Sequence, residues 1–130
     1  MKNVNNRVTT CYLVPIGKPR MTQRDKYMKR PAVVRYRIFA DALRDCMKDV
    51  DLSDVWSLTL KFWLPFPPSY SFKKREELKG KIHRQKIDID NACKAVMDSL
   101  LEDDKGVAGL CAWKYWDDGK GPRIEITVNS

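Results

Sequence analysis

The sequence predicts a single small α/β (α+β) domain, a mixed β-sheet with flanking helices, spanning residues 1–130. Apolar and polar residues alternate in separate stretches, the period of a half-buried strand. Between these stretches, apolar residues recur every fourth position, the period of a helix packed on one side. The resulting order is β, α, β, α, α, β, β, with no internal repeat and no linker.

Each element has its own signal. Val8, Thr10, Tyr12 and Val14 alternate with Thr9, Cys11 and Leu13, which gives a first strand. A basic loop broken by Gly17 and Pro19 follows. Pro31 suits a first helical turn, where its missing N–H would have no partner anyway. From there Val34, Ile38, Ala42, Cys46 and Val50 recur every fourth residue, with Phe39, Leu43 and Met47 widening the stripe. That spacing predicts a helix of about four turns. Trp56, Leu58, Leu60, Phe62 and Leu64 then alternate with Ser57, Thr59, Lys61 and Trp63. This strand stops at Pro65, Pro67 and Pro68, which cannot donate to a ladder. Lys73 to Lys81 reads as a charged helical excursion. A helix from about Asp90 to Leu101 buries Ala92, Cys93, Val96, Met97 and Leu100. Strands at 107–116 and 123–128 read as a hairpin across Asp117-Asp118-Gly119-Lys120-Gly121.

Size and composition narrow the function classes. A chain of 130 residues fits one domain. Surface scaling leaves roughly 7,000 Å² exposed of about 22,000 Å² unfolded, enough for one modest core. An apolar content of 43% with 10% aromatic residues excludes a disordered chain. The apolar runs are too short for a bilayer and none resembles a signal-peptide core, so the expectation is a cytoplasmic protein without a membrane partner. Cys11, Cys46, Cys93 and Cys111 are widely spaced, with no CxxC and only His83 as an imidazole, which excludes a structural zinc site. Each lies in a strand or helix segment, so all four are expected as buried thiols in a reducing compartment.

The net charge of +8 is unevenly spread. Residues 1–37 hold ten Lys/Arg against Asp25 alone, and residues 38–130 hold 15 basic against 16 acidic residues. The excess is focused in the segment of about 15–37, from Gly17-Lys18-Pro19-Arg20 through Arg37. Such a segment points to a polyanion, nucleic acid first, with a solvated basic loop as the alternative. It lacks the amphipathic pattern of a membrane-surface helix.

The chemistry-bearing stretch is Lys86-Ile87-Asp88-Ile89-Asp90-Asn91, within a segment of about 83–107. In an extended chain, residues two apart share a side, so Asp88 and Asp90 can converge. Two adjacent carboxylates are unfavourable unless a cation or a proton is shared, and oxygen-only ligands favour Mg²⁺ or Mn²⁺ over zinc. Lys94 lies one helical turn beyond Asp90, placed to hold a phosphate or to stabilise developing charge. A third acidic group follows at Glu102-Asp103-Asp104. The structural alternatives are an Asp N-cap with an ordinary Asp–Lys pair, and a solvated turn.

With these residues assembled, the chain resembles the RusA-like Holliday junction resolvases (crossover junction endodeoxyribonucleases), especially those carried by prophages. Three blocks carry the likeness: Val14-Pro15-Ile16-Gly17-Lys18-Pro19-Arg20 through Lys26, continuing to Arg30-Pro31 and Arg35-Tyr36; His83-x-x-Lys86-Ile87-Asp88-Ile89-Asp90-Asn91-x-x-Lys94-Ala95-Val96-Met97-Asp98-Ser99-Leu100; and Asp103-Asp104-x-x-Val107 with a lysine-bearing strand and Pro122-Arg123-Ile124-Glu125-Ile126. The chain departs in having Ile87 where the family usually has proline, which would loosen the approach to Asp88. The short run from Asp98 to Asp103 leaves Asp103 and Asp104 both open as a ligand.

The resemblance implies a homodimeric endonuclease of DNA recombination and repair, active in a bacterial cytoplasm, that uses Mg²⁺ (or Mn²⁺) to nick four-way junctions. By position, Asp88, Asp90 and Asp104 (Asp103 as substitute) would bind metal, and Lys94 would be the catalytic or phosphate-contacting lysine. Asp98 also matches a family position, as a helix-surface residue or one behind the ligands. DNA contacts would come from Lys18, Arg20, Arg24, Lys26, Arg30 and Arg35. A second patch would hold Lys73, Lys74, Arg75, Lys79, Lys81, Arg84 and Lys86. His83 would touch phosphate or hydrogen-bond its own loop, and the four tryptophans would pack rather than stack on bases.

A helix from Asp90 to Leu101 is about 16 Å long, so Asp90 and Asp104 cannot share an ion within one subunit unless the chain doubles back. A two-fold dimer with antiparallel helices would bring the partner's Asp104 to the helix start, giving a metal site shared between subunits. The competing expectations are a non-catalytic nucleic-acid-binding module and a metal-dependent nuclease for flaps or RNA.

Overall fold

The structure, a computed structural model, describes residues 7–20 and 30–130; Arg24 and Lys26 lie outside the described residues. The elements are β1 (Val8–Cys11), α1 (Pro31–Cys46), β2 (Ser57–Leu64), α2 (Phe72–Leu78), α3 (Ile89–Leu100), β3 (Gly109–Trp116) and β4 (Arg123–Asn129). They follow the expected order and build one mixed sheet, β1-β4-β2-β3.

The expected hairpin is not formed. β3 runs parallel to β2, while β4 lies between β1 and β2 and is antiparallel to both. Burial explains the order. Leu58, Leu60 and Phe62 of β2 and Ile124, Ile126 and Val128 of β4 are almost wholly covered, so these strands take the centre. β3 exposes Leu110 and Trp113 and takes an edge. The turn after β3 steps over the end of β2: the Asp117 amide donates to the Leu64 carbonyl at 2.8 Å. The Asp117 carboxylate then accepts the amides of Gly119 and Gly121, each at 3.0 Å, with both glycines at positive φ (95° and 103°). A parallel β2–β3 pair needs a long crossover, and α2 and α3 supply it.

The helix α1 buries Val33, Tyr36, Phe39, Ala40 and Leu43, with Met47 just beyond its end. Its buried stripe is therefore rotated from the every-fourth-residue expectation, and Ile38 is 64% exposed. The reason is helical pitch: a spacing of four drifts about 40° per step at 3.6 residues per turn, so Val34 through Val50 cannot stay on one face. Ala92, Cys93, Ala95 and Val96 of α3 join α1 and the central strands in one core. At the far end, Arg44 donates to the Ser99 carbonyl at 3.1 Å and ties the two helices together.

The cysteine expectation is corrected. Cys11 and Cys46 form a disulfide with a Cα–Cα distance of 6.0 Å, joining β1 to the end of α1. Cys111 is exposed, and Cys93 alone is a buried thiol. The rotation of α1 places Cys46 at the surface beside β1, not in the core. Among the tryptophans, Trp116 is buried between Phe66 and His83, and Trp63 stacks on Tyr115. Trp56 and Trp113 are about half exposed, at 51% and 46%. Among the described residues no helix is long and apolar enough to cross a membrane.

Arg123 enters β4 buried, with its guanidinium 4.3 Å from the Trp63 ring and paired to both carboxylate oxygens of Asp118 at 2.9 and 3.0 Å. That pairing pulls the Asp118 carboxyl down to about 2.

Two predictions follow from this packing. Leu43→Ala lowers the unfolding free energy by about 2–5 kcal/mol, whereas Ile38→Ala changes it by about 0.5 kcal/mol or less in urea titrations; equal losses contradict the rotated stripe. Because the folded carboxyl of Asp118 sits below its unfolded value, its contribution is present above about pH 4 and is lost as pH falls toward 2. Acid titration of stability should therefore flatten across that window in Asp118→Asn, and an unchanged slope contradicts the assignment.

Candidate active site

The segment leading into α3 runs along the edge of β3. The His83 amide donates to the Lys114 carbonyl at 3.0 Å, and the Trp116 amide donates to the Lys81 carbonyl at 2.8 Å. Lys114 sits opposite Phe62 in the β2–β3 register, in the alternation that includes Leu110, Ala112 and Trp116. Its ammonium returns to the same segment and donates to the carbonyls of Gln85 (2.6 Å) and Ile87 (2.5 Å). Burial lowers the Lys114 pKa, and the Asp88 carboxylate acts in the opposite direction. The Lys86–Ile87 peptide is cis, and the Ile87 side chain packs half-buried against the core. The approach to Asp88 is thus held by Lys114 and by the packing of Ile87.

Asp88 is the N-cap of α3, extended at φ −64° and ψ 137°, and its side chain makes no capping bond. Its carbonyl accepts the Ala92 amide at 3.0 Å and starts the helix, leaving the carboxylate clear of the cap. Asp90 lies in the first helical turn, where the exposed amides and the helix dipole favour an acid. The pleat argument for convergence is corrected here: the helix begins at Ile89, so Asp88 and Asp90 project from a cap and a first turn. Burial first, and the Asp90 charge second, push the Cys93 thiol up to about 11, so it is inert near neutral pH.

Across from α3 lies the loop 15–20. A Cβ on Gly17 would come within 2.9 Å of Asn91 Nδ2 and 3.1 Å of Ile87 Cγ2, so glycine permits the close approach. The Lys18 amide donates to the Asn91 carbonyl at 3.2 Å, and the Lys18 ammonium pairs with Asp98. Between loop and helix opens a cleft of about 470 Å³ lined by Lys18, Pro19, Arg20, Asn91 and Lys94. An adjoining cleft of about 310 Å³ holds Arg35 and Lys86 beside Gly17 and Ile87. Arg30 donates to the Arg20 carbonyl at 2.6 Å.

The fold thus gathers Lys18, Arg20 and Lys94 at one cleft and Arg35 and Lys86 at the next. Lys73 and Lys74 line neither cleft; they lie on α2, with the Lys74 ammonium 3.9 Å from the centre of the Tyr70 ring. Asp103 and Asp104 follow the far end of α3. Asp103 accepts the Lys105 amide at 2.9 Å and pairs with its ammonium at 3.4 Å, while Asp104 is exposed. Among the described residues, no three His, Cys, Asp or Glu side chains gather as a metal-binding group. His83 is 5% exposed, packs on Trp116 and accepts the Gln85 amide through Nδ1 at 3.3 Å. Burial, then the Lys114 charge, lowers its pKa, so it is a neutral loop hydrogen-bonder and not a cationic phosphate contact.

The family model of endodeoxyribonuclease RusA matches residues 12–129. The chain belongs to that family. It is therefore grouped with endodeoxyribonucleases, hydrolases that resolve Holliday junctions. No curated protein and no solved structure matches the chain. The matched span takes in the loop 15–20 and the start of α3, which meet at the first cleft, and the strand that carries Lys114.

Lys114 is the residue whose role sequence reasoning missed. The signal was a lysine in the alternation Leu110, Ala112, Lys114, Trp116, otherwise apolar. Lys114→Met removes two charge-assisted bonds and should lower the unfolding free energy by about 2 kcal/mol in urea titrations. No change would mean that the segment before Asp88 is held by packing alone.

Proposed function

We propose that this RusA-family chain is a divalent-metal-dependent endonuclease that resolves four-way DNA junctions by paired nicks through phosphodiester hydrolysis. The observation that supports this best is the start of α3. There an uncapped Asp88 and the first-turn Asp90 stand at one end of a helix that also carries Lys94, beside a cleft lined with Lys18 and Arg20.

The donor set fits Mg²⁺, or Mn²⁺: carboxylate oxygens only, with no imidazole or thiolate free to join them. Asp88 and Asp90 would hold the ion, with Asp104 as the third carboxylate and Asp103 as its substitute. When bound, the ion polarises a phosphate oxygen and acidifies a water for in-line attack. The chain's own residues do the rest. Lys94, exposed one turn along from Asp90, offers a positive charge to the phosphate oxygens as negative charge develops. Arg20 and the neighbouring Arg35 and Lys86 hold backbone phosphates, giving affinity and register without reading bases.

Asp90 and Leu101 stand about 16 Å apart along the axis of α3, and Asp104 follows three residues beyond. We infer that the third carboxylate comes from the partner subunit's Asp104 in a two-fold homodimer. Two symmetry-related centres also match the need for nicks on opposing strands of one junction.

The test is a synthetic four-way junction beside linear duplex, in Mg²⁺ and in EDTA, with Asp90→Asn as control. The expected result is paired nicks on the junction only, abolished by EDTA and by the variant, with binding at least about tenfold weaker between 50 and 200 mM salt. Junction binding that survives in EDTA with no cleavage in Mg²⁺ would leave a binding module, and equal cleavage of linear duplex would remove junction specificity.

A further inference from the structure

The loop 15–20 belongs to no strand. Ahead of it the Leu13 amide donates to the Cys11 carbonyl at 2.9 Å, and the buried Pro15 and half-buried Ile16 seat its first part on the core. What sets its position against α3 is a small group of contacts. Asn91, Lys94 and Asp98 are spaced i, i+3, i+7 and so share one face of that helix. Asn91 accepts the Lys18 amide, and Asp98 accepts the Lys18 ammonium across 80 residues of sequence. The two paired side chains are only 21% and 29% exposed, and the ammonium also lies 5.7 Å from the centre of the buried Tyr36 ring. A pair this well covered is screened less than a surface pair, and removing one partner leaves the other poorly solvated. Asp98 lies eight residues beyond Asp90, about 12 Å along the helix, too far to ligate an ion held at Asp88 and Asp90.

We propose that Asp98 is a positioning residue: by holding the Lys18 ammonium it docks the loop on α3 and sets Pro19 and Arg20 across the cleft from Lys94. This rests on the reading of that cleft as the seat of a DNA phosphate. It also reassigns Lys18, whose ammonium is used within the protein, and leaves Arg20 and Lys94 as the cations that face substrate. The contact joins the first and second sequence blocks physically.

The test compares wild type with Asp98→Asn, Asp98→Glu and the charge swap Lys18→Asp/Asp98→Lys, each checked for an unaltered circular dichroism spectrum. Three readouts apply: hydrogen exchange of the Lys18 amide in the DNA-free protein, junction affinity in Ca²⁺, and the split of KM from kcat in Mg²⁺. In Asp98→Asn the Lys18 amide should exchange about tenfold faster. Affinity and KM should weaken about three- to tenfold, with kcat at saturating junction within about twofold of wild type. Asp98→Glu should keep most of the affinity, and the swap should restore protection of the amide at position 18. Unchanged exchange and KM in Asp98→Asn overturn the proposal, as does a loss confined to kcat, which would place Asp98 at the chemistry. A wild type that binds but never cleaves junctions, while Asp98→Asn still frees the amide, would overturn the nuclease reading and leave the docking role standing.

Discussion

Helix α3 constrains everything around it. One side carries Ala92, Cys93, Ala95 and Val96 into the core, which fixes the helix against α1 and the sheet. With that side committed, Asn91, Lys94 and Asp98 must face the loop 15–20. Its length then bears on the rest of the site: Asp88 and Asp90 stand at its start, and Asp103 and Asp104 follow its end. A helix of three turns packed on the core along one side does not bend to bring its ends together. The same rigidity makes it a ruler for the distance between its first turn and its last.

A second device sets where that ruler begins. Lys114 reaches from a strand edge to two carbonyls just ahead of Asp88, and the Lys81–His83 segment pairs with the same strand. Backbone carbonyls that would otherwise need water are satisfied by a side chain rooted in the sheet. Asp88 therefore starts the helix without spending its carboxylate on the cap. Plain helix capping would instead have used that carboxylate on the first amides of the helix.

Much of this was legible in the sequence, for identifiable reasons. β2 and β4 alternate cleanly because each has one face in the core, so their existence and their inward residues follow from period two alone. The pairing of strands was not legible. Asp117 to Gly121 has the composition of a hairpin turn, yet β4 inserts between β1 and β2 because two fully apolar alternations are better buried side by side at the centre. The α1 stripe was misplaced because spacing by four mimics a helical face only over short distances. The Cys11–Cys46 link depends on where α1 ends relative to β1, a tertiary fact with no local signature. At the site, Asp88, Asp90 and Lys94 were nominated by their likeness to the family's motif, because an acid at a helix start with a lysine one turn on also serves ordinary helices. Lys114 and the Lys18–Asp98 pair were not legible, since each acts across the fold on residues far away in sequence.

The sharing of one centre between two subunits is tested most directly by complementation. Asp90→Asn and Asp104→Asn are each prepared as inactive homodimers, then mixed, unfolded and refolded together, and assayed for nicking of a four-way junction in Mg²⁺. If each centre takes Asp90 from one chain and Asp104 from the other, the mixed dimer contains one intact centre. Single-strand nicking then returns, without the paired nicks of wild type. If each chain carries its own complete centre, every centre in the mixture keeps one substitution, and the mixture stays as inactive as its parents.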